Sequence, residues 1–163
     1  MNKGARQNLI SILQNAHAGE LAAAYAYRGH WKSLRDSTEK EHIKQIEMEE
    51  WAHRANVRRW LAELNAEPRK FREAVFWTIG RVLGLTCYVS GWFFPMYFAG
   101  RLESQNVREY LDAAHFAEEL GMNECAREML EMARVEGEHE EFFRRTVAEH
   151  RLLPFTKAIF KWS

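Results

Sequence analysis

EMEEWAHR, Glu47 to Arg54, is the stretch on which the fold reading turns. Glu50 and His53 stand three residues apart, so in a helix they share one face. Ile43, Ile46, Val57, Leu61 and Leu64 fall on that same face at helical spacing. A carboxylate and an imidazole on the apolar face of a helix are costly to bury unless something binds them. VEGEHEEFF, Val135 to Phe143, repeats the arrangement: Glu136 and His139 share a face with Met129, Met132, Phe143 and Thr146. One E-x-x-H in a glutamate-rich run is a weak signal. Two copies, each on an apolar stripe, are a strong one.

Working outward, a first helix is predicted from about Gln7 to Leu34, with Leu9, Leu13, Ala16, Ala23, Tyr27, Trp31 and Leu34 inward and Glu20 on the stripe. Asp36, Ser37 and Thr38 break it. Thr38 with Glu41 reads as a capping box for the second helix, which ends before Pro68. Pro95 suits the start of a third helix, expected from about Met96 to Leu120 with Ala99, Tyr110, Ala113, Ala117 and Leu120 inward. Glu103 lies on that stripe. Gly121 ends the helix, and Asn123 is expected to cap the fourth. β-Branched residues are sparse and no run alternates with period two. The expected fold is all-α: one ferritin-like four-helix bundle over residues 1–163, with an apolar connecting segment between the second and third helices.

Two helices each bring one inward glutamate, Glu20 and Glu103, and two bring Glu-x-x-His, Glu50 with His53 and Glu136 with His139. This is the ligand supply of a two-metal carboxylate bundle. Four carboxylates buried together need a counter-charge, and two cations supply it. The oxygen-rich set suits iron, with manganese the alternative, better than structural zinc. Glu20 to Glu50 spans 30 residues and Glu103 to Glu136 spans 33, so two matching hairpins imply a pseudo-twofold axis through the metal pair.

Other polar residues take supporting places. Glu47, Glu138 and Glu140 lie off the marked faces and read as solvated or supporting. His17 is one turn before Glu20 and reads as a hydrogen-bonded core or surface histidine. Tyr27 and Tyr110 each stand seven residues beyond an inward glutamate and are candidate donors to the site. Asp112 is a candidate for orienting a ligand histidine. Cys87 and Cys125 match no paired motif and are expected as buried thiols.

Lysine plus arginine is 23 and aspartate plus glutamate is 23, which argues against a nucleic-acid partner. No secretory signal is visible, so a cytoplasmic location is expected. From Ala74 to Gly100 the only charge is Arg81, among many aromatics and Gly80, Gly84, Gly91, Pro95 and Gly100. The segment reads as an interfacial one, seating the protein peripherally on the inner face of a membrane through Trp77, Trp92, Phe93 and Phe94. Residues 152–163, with Phe155, Phe160, Trp162, Lys157 and Lys161, would join it. An interface in a homodimer or with another partner is the other reading.

These motifs together resemble the demethoxyubiquinone hydroxylases of ubiquinone biosynthesis. The matching stretches are HAGE at His17 to Glu20, EEWAHR around Glu50 and His53, and the W-x-x-G-x-x-x-G-x-T-x-x-x-x-G run through Trp77, Gly80, Gly84, Thr86 and Gly91. Glu103, Tyr110 and the Glu136/His139 pair follow in the family's order. The chain departs from the family at WFFPMYFAGRLE, Trp92 to Glu103, at Glu109 where the family has histidine, and in a shorter tail after Arg151. The resemblance implies a di-iron, oxygen-dependent hydroxylase. One oxygen atom would enter an apolar aromatic or quinone-like ring, and the other would leave as water. Electrons would come from an external reductant such as NADH, since the chain has no dinucleotide fingerprint of its own. The alternatives within the superfamily are a tRNA hydroxylase, a ferroxidase or iron store, a rubrerythrin-like peroxidase and a manganese catalase.

Overall fold

The computed structural model describes residues 3–162, and every described element is a helix: α1 Lys3–Ser33, α2 Ser37–Glu63, α3 Lys70–Thr86, α4 Phe93–Glu119, α5 Asn123–Val147 and α6 Leu153–Phe160. Met1, Asn2 and Ser163, included in the expected 1–163 domain and 152–163 segment, lie outside the described residues. Residues 34–36 and 120–122 are the only links within the pairs α1/α2 and α4/α5, so each pair folds into an antiparallel hairpin. The hairpins meet chiefly through α1 on α4, with α2 touching α5, and α3 lies along the outside of α1. The four-helix bundle is therefore α1, α2, α4 and α5.

Two apolar layers fill it. One end holds Leu9, Leu13, Val57, Leu61, Ala113 and Met129, and the other holds Ile43, Ile46, Phe93, Met96, Tyr97 and Phe143. Between them lie Glu20, Glu50, Glu103 and Glu136, all buried.

Several local expectations need correction. The α2 cap is Asp36, not a Thr38/Glu41 box: its Oδ1 accepts from the backbone N–H groups of Thr38 and Glu39, each at 2.9 Å. Asn123 does not cap α5 but is its first residue, after Met122 in the cap position. Gly121 does end α4, with φ of 71°. The first helix begins at Lys3, ahead of Gln7, with Ala5 buried and Arg6 donating to the Leu64 carbonyl. Of the two thiols, Cys125 is buried but Cys87 is only partly so.

The largest correction concerns 74–100, which is mostly helical. Gly80 and Gly84 sit inside α3 where it crosses α1. A Cβ on Gly80 would lie 2.4 Å from the Ala22 carbonyl oxygen, and one on Gly29 would lie 2.3 Å from the Gly84 Cα. The glycines are contact points between two helix backbones, and α3 lies closer to α1 than larger side chains would permit. After a short turn at Gly91, α4 starts at Phe93, which places Pro95 in the first turn where its missing N–H costs nothing.

The tail also folds back. Trp162 is buried against Gly100, where a Cβ would lie 2.3 Å from its ring, and its Nε1 donates to Glu140 at 2.9 Å. Trp162 and the buried Phe93 are thus core residues and cannot serve a membrane. Phe155, Ile159, Phe71, Val82, Leu85 and Val89 remain exposed. Among the described residues, no helix is long and apolar enough to cross a membrane.

Gly80→Ala, which drives a methyl group into the α1 backbone, is expected to destabilise the protein by about 1–3 kcal/mol. Gly137→Ala, in mid-helix with nothing within 4 Å of the new Cβ, is expected to stabilise it by about 0.5–1 kcal/mol. Thermal melts of both metal-free variants check the contrast; equal effects would mean the α1/α3 contact is not tight.

Candidate metal centre

Glu20 comes from α1, Glu50 and His53 from α2, Glu103 from α4, and Glu136 and His139 from α5. All six residues predicted as ligands converge. They form two overlapping groups, Glu20, Glu50, His53 and Glu136 in one, and Glu50, Glu103, Glu136 and His139 in the other. The donor atoms within each group lie within 4.8 Å of one another. Glu50 and Glu136 belong to both.

The polar atoms here are left open in a specific way. Glu20 Oε2, both oxygens of Glu50, Glu136 Oε2 and His139 Nδ1 are buried without a hydrogen-bond partner. Such a concentration of orphaned acceptors in a bundle core is rarely tolerated unless an ion satisfies them. Burial and the charges of Glu20 and Glu136 push the Glu50 carboxyl well above its usual range, and burial with Glu136 does the same to Glu103. Burial also raises Glu20. For Glu136, burial acts upward, but hydrogen bonds from His139 and His53 outweigh it and hold the group low. His53 Nδ1 lies 2.8 Å from Glu136 Oε1. Burial would lower both histidines, yet their carboxylate partners carry them above the usual imidazole value. Four carboxylates and two imidazoles, short of positive charge, fit two hard divalent cations such as iron or manganese.

The surroundings hold these side chains in place. Tyr27, on α1, donates to Glu103 Oε1 on α4, and Tyr110, on α4, donates to Glu20 Oε1 on α1. The predicted tyrosines are thus used, but crosswise, each holding the glutamate of the opposite hairpin. Asn106 Nδ2 donates to Glu103 Oε2 at 2.9 Å. His139 Nε2 meets Glu49 Oε2 at 2.7 Å, which leaves Nδ1 facing Glu50 and Glu136 at 3.6 Å. Asp112 is exposed on α4, so Glu49 holds the orienting place suggested for it. No spacing rule separates Glu49 from its neighbour Glu50.

Glu47 is buried rather than solvated, and accepts from Arg28 and Trp31 at 2.7 Å each. Glu140 is the acceptor for Trp162, and Glu138 is exposed and paired with Arg134. His17 faces away from the ligands: its Nδ1 lies 2.8 Å from Glu73 of α3, beside the Arg54–Glu73 ion pair at 2.6 Å. This partly buried trio ties α3 to both α1 and α2.

Two cavities between α1, α3 and α4 reach the centre. One of about 360 Å³ touches Glu103 and Tyr27, and one of about 480 Å³ touches Glu20 and Tyr110. They share Ala23, Ala26, Leu83, Leu102 and Asn106. Leu83, Phe94 and Leu102 line the first and are also partly exposed, so its mouth is apolar.

A family profile described as ubiquinone biosynthesis protein COQ7 matches residues 7–114, about two thirds of the chain, and the chain belongs to that family. No curated protein and no solved structure matches it. The matched region contains Glu20, Glu50, His53 and Glu103. Glu136 and His139 lie beyond it and enter the cluster through geometry alone.

The charge balance sets a pH dependence. Glu50 and Glu103 stabilise the metal-free fold when protonated, an advantage fully present below the ordinary value of 4.5 and lost as pH rises through their elevated folded values. The raised histidines act in the same direction, and the lowered Glu136 acts in the opposite one. The melting temperature of metal-free protein is therefore expected to fall as pH rises above about 4.5, and divalent metal should remove the fall. Metal-free Glu103→Gln should decline less and exceed wild type by about 1 kcal/mol or more near neutral pH. Parallel pH curves for the two proteins would refute this balance.

Proposed function

We propose that this member of the COQ7 family is an oxygen-dependent hydroxylase, with two irons held by Glu20, Glu50, His53, Glu103, Glu136 and His139. Its proposed substrate is a quinone-like or other apolar aromatic ring. The observation that carries the reading is the six-residue cluster, four of whose members hold buried polar atoms without a partner, beside an apolar cavity. Ubiquinone biosynthesis, the role attached to the family, requires ring hydroxylation of this kind, and the cavity suits a lipid-soluble ring.

Bound and reduced, the iron pair would supply activation of O₂. The chain's own residues do the rest. Glu20, Glu50, His53, Glu103, Glu136 and His139 would hold the ions, Glu50 and Glu136 being the two carboxylates shared by both ligand groups. Glu49 accepts from the outer nitrogen of His139, keeping the inner one free for a metal. Tyr27 and Tyr110 each hold one oxygen of a terminal glutamate in place. Ala23, Ala26, Leu83, Phe98 and Ala99 keep the reacting ring away from bulk water. Electrons would come from an external donor, NADH being the proposed source.

We also propose that the exposed apolar face of α3 and α6 seats the protein peripherally on a membrane, where the apolar mouth can take substrate from the bilayer. Phe160 packs on the cavity residue Phe98 with ring centroids 5.1 Å apart, so the tail borders that mouth. The same face would otherwise join two copies of the chain or a partner.

Anaerobic reconstitution with ferrous iron should load about two irons per chain. Glu50→Ala and Glu136→Ala should lose both, and Glu20→Ala and Glu103→Ala about one. The loaded protein should consume O₂ when given a quinone precursor and reductant. A folded chain that takes up no iron would sink the di-iron reading, while many irons per chain would favour iron storage.

The membrane proposal has its own check. Leu85→Glu combined with Phe155→Glu should abolish flotation with anionic vesicles while leaving iron content unchanged. Loss of a dimer in the double variant, with no vesicle binding by wild type, would assign the face to self-association instead.

A further inference from the structure

His30 forms part of the wall of the cavity that reaches Glu103. It follows Tyr27 by three residues on α1, so it shares that face about 4.5 Å further along the axis. The side chain is 3% exposed, and Nε2 is buried without a hydrogen-bond partner. Its ring lies nearly parallel to Phe143, with centroids 6.4 Å apart, which fixes its plane. Burial lowers its pKa to about 4, so the ring is neutral in the working range.

Most other polar side chains of the cavity, Ser90 apart, are already engaged. Tyr27 and Asn106 donate to Glu103, and Thr86 Oγ1 and Cys87 Sγ both donate to the Leu83 carbonyl. An unsatisfied imidazole nitrogen in an apolar wall costs stability unless a ligand completes it. His30 also borders an outer cavity of about 530 Å³ with Ser33, Arg35, Asp36 and Glu39. It therefore stands where an apolar chamber meets a polar vestibule.

We propose that His30 is the polar subsite of this cavity, its imidazole exchanging a hydrogen bond with an oxygen on the substrate ring and so fixing which ring edge faces Glu103. A neutral imidazole can donate to a carbonyl in one tautomer and accept from a hydroxyl in the other. One residue thus accommodates both the quinone and the hydroquinone form of a ring. The assignment rests on the hydroxylase reading of the cavity and adds a specificity-determining residue to it.

The test uses metal-loaded full-length protein and two probes: a methoxy-benzoquinone with a short alkyl chain, and an alkylbenzene of matched size without oxygen. Binding is measured by calorimetry for wild type, His30→Leu and His30→Gln, with metal content and melting temperature confirming that each is folded and loaded. His30→Leu should weaken quinone binding by about tenfold and leave alkylbenzene binding within about twofold. His30→Gln, which restores a neutral donor and acceptor, should recover most of the loss. Equal weakening of both probes, or unchanged quinone binding in His30→Leu, would overturn the proposal, the latter assigning Nε2 to a buried water only. Wild-type protein that loads iron but binds neither probe would refute the cavity as the substrate site, and this subsite with it.

Discussion

Four carboxylates buried at the centre of a helical bundle are the constraint on which the rest of the structure depends. Each is held by a different helix, so their mutual repulsion acts to separate the two hairpins. Leu9, Leu13, Leu61 and Met129 on one side, and Ile46, Met96 and Phe143 on the other, hold the hairpins together across this layer. The apolar layers supply cohesion and the acidic layer opposes it. Cations held there would turn the opposing layer into a cross-link between all four helices and so couple metal binding to folding.

The crosswise tyrosines belong to the same balance. Tyr27 and Tyr110 donate across the α1/α4 interface rather than along their own helices. Each hydrogen bond eases the charge on one glutamate and links the two hairpins at the same time. Two reciprocal bonds related by the pseudo-twofold axis are what duplicated hairpins require, since a donor serving its own hairpin could not hold the other. Access to the metals is set on the outer side of α1. The Gly29/Gly84 and Gly80/Ala22 contacts bring α3 onto α1 with almost no side chain between them, so α3 forms a fixed outer wall. The His17–Glu73–Arg54 network anchors the other end of α3. The cavities between α1, α3 and α4 are thus bounded mainly by helices, with the α3–α4 turn contributing only Cys87 and Ser90.

How much of this was legible in the sequence follows from which interactions are local. The four bundle helices and the six inward residues could be read because helical periodicity forces Glu50, His53 and their counterparts onto apolar stripes. The second and third helix starts were harder, because Asp36, Ser37 and Thr38 are all competent caps and only backbone geometry selects Asp36. Gly80 and Gly84 were legible only as parts of an apolar, glycine-rich connecting segment. Their role lies in contact with residues some 60 positions earlier, Ala22 and Gly29, and no local pattern reveals it. Glu49 and Trp162 escaped for the same reason, since each acts on a partner distant in the chain, His139 and Gly100.

The stretch Trp92 to Glu103 has a physical account in two helix faces. Phe93, Met96, Tyr97 and Gly100 point into the bundle, where Tyr97 meets Trp162 edge-on at 5.3 Å and Gly100 leaves the notch that Trp162 fills. Phe94, Pro95, Phe98, Ala99 and Leu102 face the cavity that reaches Glu103. The aromatic residues therefore answer two demands at once. A short tail needs a tight socket to dock without a long apolar helix of its own, and Phe93 and Tyr97 help to build it. A ring-shaped chamber needs flat apolar walls, and Phe94 and Phe98 provide them. The same helix that delivers Glu103 to the metals thus also shapes the space beside it, so changes on its outer face alter what fits there without disturbing the ligands on its inner one.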